Sequence, residues 1–483
     1  VKISLPHTQD YASARVLKLL SVTLVVLLLA GPVFNTDAEI LLAYTLTLVA
    51  CVLPCTLWLL WGGHGIPILP AMGGMYFVYY AVPILRENGA YRNFVVSPAE
   101  LLSSGIIVSL FLFAATASWS IFMTQARRRN LSISASTDLI SDSQLANVTL
   151  AGLSFGIIYY VVVWSGGYGY AATFIGTARS ILLSSAAVAC FLLGYGHAKG
   201  SLTGKKWILA VIALGILAVL ELAGLFLVLA MIHVFTAFLG YMVTAKRIPW
   251  RSALAALAIL AVLQAGKSEM RQKFWFNEGG GPELTLVDTP GVVMDWIMTG
   301  AESIGGETSG PNIIDRASLL ALLVRVQRIT PDYIPFLNGQ SYALLPEMLV
   351  PRFLVPEKIA SQASMQLLNI YFGFQTLEET QGTAIGWGPV AEAYANFGHI
   401  GVVGIGLLYG LMTGLLTRWS AGQPVVSLPS LIAIAGMITV TNAESDFSYL
   451  IVNFSQTCAA ILVFYAFIRE FIASKSRVVR SVS

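Results

Sequence analysis

The chain alternates long apolar runs with short polar turns, and the length of the runs sets the architecture. Hydrophobic stretches of roughly 18–25 residues recur along it, the length a helix needs to cross the hydrocarbon core of a bilayer. Twelve spans are predicted, with approximate limits 16–34, 40–61, 66–84, 99–124, 146–164, 180–197, 207–222, 225–244, 251–266, 398–417, 425–442 and 448–469. The apolar run 207–245 is too long for one crossing, so it is divided at Glu221 and Gly224 as a tight hairpin. The pattern breaks once, over residues 267–396, where polar residues dominate between the apolar arms 252–266 and 399–417. The expected fold is an all-α polytopic membrane protein of about 12 transmembrane helices, with one large outward loop that holds short amphipathic helices. It divides into an N-terminal bundle over 1–266, the loop over 267–396 and C-terminal helices over 397–483.

Composition agrees with the pattern. The chain is 56% hydrophobic and only 11% charged, against roughly 25% charged in soluble domains. The loop holds 14 of the 25 acidic residues, 8 of the 28 basic ones and 9 of the 19 prolines. Irregular backbone with binding groups needs water or protein around it, so the chemistry is expected there. Cys51, Cys55, Cys190 and Cys458 all fall inside apolar runs, which predicts free thiols packed as small hydrophobes. Arg15 and Lys18 precede an apolar run with no small-residue cleavage site, which reads as a retained first helix.

The placement of charge gives orientation. With the N-terminus in the cytoplasm, cytoplasmic segments carry 17 Lys and Arg, whereas the short outer loops carry only Arg86, Arg92 and Arg179. That bias puts both termini inside and the loop outside. The predicted location is a bacterial inner membrane, with the loop in the periplasm and away from ATP and nucleotide sugars. No Gly-x-x-x-x-Gly-Lys-Ser/Thr motif cradles a nucleotide. A reaction outside must therefore draw on a substrate that arrives activated. A coupled transporter usually shows internal repeats and ionisable residues at mid-membrane. Here no repeat is evident, and Glu221 is the clearest ionisable group within a span, expected to cap the hairpin near the outer surface.

Within the loop, Lys267 and Arg271 are four apart and share a helical face at headgroup level. Gly279, Gly280 and Gly281 read as a flexible connector. Asn312 is a plausible N-cap for a four-turn amphipathic helix, with Asp315 in its first turn and Leu319, Leu322 and Val326 at helical spacing. That helix is expected to lie on the outer membrane face. Arg325 and Arg328 near its end suit the helix dipole; Arg316 near its start does not. Pro346, Pro351 and Pro356 fix a stiff path that holds Arg352 and Lys358 beside apolar residues, a setting suited to phosphate oxygens. Pro389 then opens a helix on which Glu392, Asn396 and His399 form one polar stripe at i, i+4 and i+7.

These patterns together resemble the bacterial polysaccharide polymerases of the O-antigen polymerase (Wzy) type. The resemblance rests on the many spans with one large outward loop, Lys267-x-x-x-Arg271, Asp315-Arg316, Leu345-Pro346 through Pro351-Arg352-Phe353-Leu354, and Glu392-Ala-Tyr394-Ala-Asn396-Phe-Gly398. It implies a GT-C-like membrane glycosyltransferase that joins undecaprenyl-pyrophosphate-linked repeat units at the periplasmic face. An acceptor hydroxyl attacks the anomeric carbon and lipid pyrophosphate leaves. Such chemistry needs cations for the leaving group and a proton acceptor for the hydroxyl. On this resemblance Arg316 and Arg352 bind pyrophosphate, with Lys267, Arg271 and Lys358 as further cations. Glu392 is the expected base, with His399 and Asp315 in reserve. Tyr394, Asn396, Trp387, Tyr168 and Tyr170 are candidates for sugar contact, although aromatic residues also gather at membrane interfaces. No metal and no cofactor is expected, the loop having no Asp-x-Asp pair. Expected partners are the lipid-linked donor and acceptor, membrane lipid and a chain-length regulator, with no nucleic acid. A glycan ligase using the same lipid, or a flippase for it, are the alternative readings.

Overall fold

A computed structural model describes residues 37–84, 96–132, 140–165, 172–225, 227–245, 247, 249–274, 286–305, 318–350, 354–355 and 357–482. Among them every regular element is helical. The helices are α1 (Ala38–Leu60), α2 (Ile68–Ile84), α3 (Pro98–Ser132), α4 (Asp142–Trp164), α5 (Ala172–Lys199), α6 (Gly204–Leu222), α7 (Leu227–Ala245), α8 (Trp250–Phe274) and α9 (Thr289–Gly305). The short helices α10 (Leu319–Ile329), α11 (Gln340–Ala343), α12 (Leu345–Leu349), α13 (Ala363–Tyr371) and α14 (Glu379–Gly382) follow, then α15 (Gly388–Ser420), α16 (Leu428–Thr441) and α17 (Phe447–Val482). Seven of them are long and apolar enough to cross a membrane: α1, α3, α4, α5, α8, α15 and α17, each over all or part of its length. Three shorter apolar helices lie at Ile68–Ile84, Ala230–Ala245 and Leu428–Thr441. The predicted span 16–34 lies outside the described residues.

Helix contact in lipid is driven by close packing, because lipid tails are as apolar as leucine. Glycine provides that closeness here. Along α15, Gly406, Gly410 and Gly414 recur every four residues, and a Cβ on each would fall against Phe111 O, Ala115 O and the Phe122 ring of α3. The matched positions rise together, so α3 and α15 run parallel with their backbones nearly touching. Ser118 Oγ bridges them by donating to Leu407 O at 2.7 Å. Gly194 and Gly240 make a reciprocal close contact between α5 and α7, and Gly266 with Gly300 does the same between α8 and α9. By contrast α8 is largely uncovered, with Leu254, Leu257 and Ile259 each more than half exposed, a face suited to lipid.

Three features depart from the sequence expectation. The amphipathic helix begins at Leu319 with Ser318 as N-cap, its hydroxyl accepting from Ala321 N at 3.4 Å. Its apolar face, Leu319, Leu320, Leu323 and Val324, is buried in the main core, not laid on a membrane. Burying that face inside the protein satisfies it as fully as lipid would. Arg328 pairs with Glu100 of α3 at 2.7 Å, and the Arg325 guanidinium sits 4.8 Å from the centre of the Phe374 ring. The α6–α7 hairpin forms as expected, but Glu221 is buried and meets His233 Nδ1 of α7 at 2.9 Å. Its carboxylate is thus spent on a partner across the hairpin. Finally, α15 is broken at Phe397 and Gly398, where Gly398 has φ +59°.

A π-turn over Phe77–Ala81 interrupts α2 just before Pro83. Such widened turns rotate the side chains that follow relative to those before. Tyr79 of this turn reaches Glu444 in the loop that joins α16 to α17, and the Tyr80 hydroxyl lies beside Gly388.

Candidate functional site

Four stretches meet at the N-terminal end of α15: its first nine residues, the 336–341 turn, the 443–447 loop between α16 and α17, and α13. Helix 388–396 enters this junction with Val390, Ala391, Ala393 and Ala395 fully buried, small enough to let the other three close around it. Gly388 starts it at φ +66°, where an added Cβ would press on Ala443 O. Its N–H donates to Glu444 O at 3.1 Å, which ties the helix to the 443–447 loop.

Glu392 stands at the centre, with no exposed surface. Ser341 Oγ donates to its Oε1 at 2.7 Å, and Phe447 N donates to its Oε2 at 2.7 Å. Asn396, equally buried, donates from Nδ2 to Ser341 Oγ and to Glu392 O, both at 2.9 Å, and its Oδ1 accepts from Gly339 N at 3.0 Å. The 336–341 turn also seals the break in α15. Leu337 N and Asn338 N donate to Ala395 O and Asn396 O, carbonyls that an unbroken helix would have used itself.

A second buried carboxylate, Asp446, lies beside this network. Ser364 Oγ donates to its Oδ1 at 3.0 Å, as does Tyr449 N at 2.8 Å. Burial pushes its pKa up to about 6, against the pull of those donors. Glu392 and Asp446 are close enough for their charges to repel. Like charges confined together give up protons one at a time, as a pair. A third carboxylate, Glu444, is the exposed one. Tyr79 OH faces its Oε1 across a long 3.4 Å contact, and the Lys267 ammonium near the end of α8 is close enough to favour its charged form.

The structure sorts the residues singled out by sequence. Glu392 and Asn396 come together as the four-residue spacing requires. His399 does not join them: the break at Phe397–Gly398 turns it out of the stripe, leaving it exposed with its ring edge-on to Tyr394 at 5.6 Å. Trp387 is fully buried, its Nε1 donating to Asn369 Oδ1 at 2.7 Å and its ring enclosed by Phe372 and Phe374. It is a core residue and offers no free face to a sugar. Lys358 is also buried, and its ammonium donates to Met348 O and Val350 O at 2.7 Å each, which fastens the proline-rich turn. Arg271 donates to Leu225 O at 3.3 Å, at the tip of the α6–α7 hairpin. Lys267 approaches the carboxylate of Glu444. Asp315, Arg316, Arg352, Tyr168 and Tyr170 lie outside the described residues.

Sequence reasoning passed over Glu444 and Asp446. They sit in a short turn between two apolar runs, Thr441-Asn442-Ala443-Glu444-Ser445-Asp446, where no periodicity marks them. Two carboxylates and no cation in so short a turn between apolar runs were the available signal. Chemically, this end of the bundle joins a carboxylate open to solvent, an ammonium beside it and a buried network that ties down the loop carrying the carboxylate. No known family model matches the chain, and neither a curated protein nor a solved structure is significantly similar to it.

Proposed function

We propose that the chain is a polysaccharide polymerase that joins lipid-pyrophosphate-linked oligosaccharide units at the outer face of a bacterial inner membrane. One observation carries the reading. In a chain with so few charges, Glu392, Glu444, Asp446 and Lys267, from three separate parts of the sequence, gather at one end of an apolar bundle. Polar groups of that density are costly in such a protein unless they serve a site. The resemblance of the loop motifs to O-antigen polymerases gives the site its chemistry.

In this reading the acceptor hydroxyl gives its proton to a group at that end as its oxygen bonds to the donor's anomeric carbon. The carbon–pyrophosphate bond breaks and lipid pyrophosphate departs. Lys267 supplies positive charge for the leaving group, with Arg316 and Arg352 proposed for the same task from sequence. The exposed imidazole of His399, edge-on to the Tyr394 ring at the α15 break, is proposed to contact the sugar. Transfer is proposed to proceed without a metal. The test is the surface glycan of cells that lack the chain, run on a gel. Single repeat units on the lipid anchor are expected; long unattached chains would instead make the protein a ligase. Purified protein should then elongate lipid-linked units in the presence of chelator, and loss of elongation there would refute the metal-free step.

A further inference from the structure

The sequence motifs point to Glu392 as the proton acceptor, but the geometry points elsewhere. Both oxygens of Glu392 already accept hydrogen bonds, from Ser341 and Phe447, and the residue has no surface open to solvent. No acceptor sugar reaches it in this arrangement. Asp446 is equally enclosed. Glu444, two residues away from it, is exposed, and its backbone is gripped on both sides. Its carbonyl accepts from Gly388 N, and Gly386 lies so close to its Cβ that an added methyl at Gly386 would sit 2.7 Å away.

We infer that Glu444 is the catalytic base of the proposed glycosyl transfer, and that Glu392 is a positioning residue that acts through the 443–447 loop. This assignment rests on the polymerase reading. Glu392 holds Phe447 N, Gly388 holds Glu444 O, and both belong to the same nine-residue helix, so the helix fixes the loop at two points three residues apart. The side chain of Glu444 is left to face outward beside Tyr79 and Lys267. The Tyr79 hydroxyl faces the carboxylate across 3.4 Å, and Lys267 sets a cation next to it, where the pyrophosphate of the donor would be held. In the step, the acceptor O–H proton moves to a Glu444 oxygen while the new C–O bond forms and the bond to pyrophosphate breaks. Crowding by protein around Glu444 raises its pKa, whereas Tyr79 and Lys267 pull it down. A carboxylate so placed is more basic than a free one and the better proton acceptor for it.

The experiment uses purified full-length protein and the lipid-linked repeat unit that accumulates in cells lacking the chain. Elongation is followed over pH 4–8 for the wild type, Glu444→Gln, Glu444→Asp and Glu392→Gln, after each is shown to elute as a monodisperse species. Glu444→Gln is expected to elongate on the order of 10² to 10⁴ times more slowly, the usual worth of a general base, and to lose the fall in rate toward acid pH. Glu444→Asp keeps the charge on a shorter stem and should recover part of the rate together with the acid limb. Glu392→Gln should slow elongation about tenfold and keep the acid limb, because the amide oxygen still accepts from Phe447 N while its NH2 turns to donate to Ser341 Oγ. An active wild type with Glu444→Gln within threefold of it overturns the assignment. Loss of the acid limb in Glu392→Gln and not in Glu444→Gln returns the base to Glu392. A wild type that does not elongate the unit at all refutes the polymerase reading, and the assignment falls with it.

Discussion

At the scale of single residues, the site is decided by which carboxylates are sealed and which is open. The four-residue spacing of Glu392 and Asn396 was legible, and the two share one network. The reach to His399 was not, since a spacing of seven assumes an unbroken helix and Gly398 takes φ +59°. Trp387 reads from sequence as a candidate for sugar contact, because its partner Asn369 lies in another helix, beyond any local pattern. Asp446 gives a prediction that needs no substrate. Its pKa rises from an ordinary value near 4 to about 6 in the folded chain. Between those values the unfolded chain loses the proton first, so this group lowers stability as pH rises through about 4 to 6, and the cost persists above that range. Asp446→Asn should therefore be more stable than wild type at pH 7.5 by on the order of 1–3 kcal/mol, with the gap closing near pH 4. Thermal unfolding in detergent at the two pH values measures this; a gap that does not shrink on acidification contradicts it.

At the scale of elements, run length located the helices well, because the bilayer imposes it. What it left out was partnership. The apolar face of Leu319–Ile329 was evident as a face that must be buried, but the pattern does not say whether lipid or protein buries it; here it is the bundle. Gly406, Gly410 and Gly414 likewise announce a close approach, although nothing in them names α3 as the neighbour. The contact can be tested against its own control. Gly410→Ala puts a methyl on Ala115 O and Ser118 Oγ, and an overpacked core costs about 1–3 kcal/mol. Gly404 in the same helix has open space where its Cβ would go, so Gly404→Ala should be neutral or stabilise by up to about 1 kcal/mol through helix propensity. A lower apparent melting temperature for the first variant and not the second is the expected result; equal shifts would mean that the two helices do not meet along this line.

At the scale of the whole molecule, the parallel run of α3 and α15 brings Glu100 and Glu392 to one end, while the sequence places Arg127, Arg128, Arg129 and Arg418 toward the other. This is the same sidedness that loop charge predicts. A reporter active only outside the cytoplasm should be active when fused within Gly279, Gly280 and Gly281 and silent when fused after Arg129. The reverse pattern would place the carboxylates in the cytoplasm and remove the reason for a preactivated substrate. The glycine contact has one more consequence, for traffic. Two backbones in contact at Gly406 and Gly410, with the Phe122 ring filling the next turn at Gly414, leave no slot for a hydrocarbon chain between α3 and α15. On the proposed reading, a lipid-borne substrate would have to reach the carboxylate end past some other flank, so the seam that shuts this one also chooses the entrance.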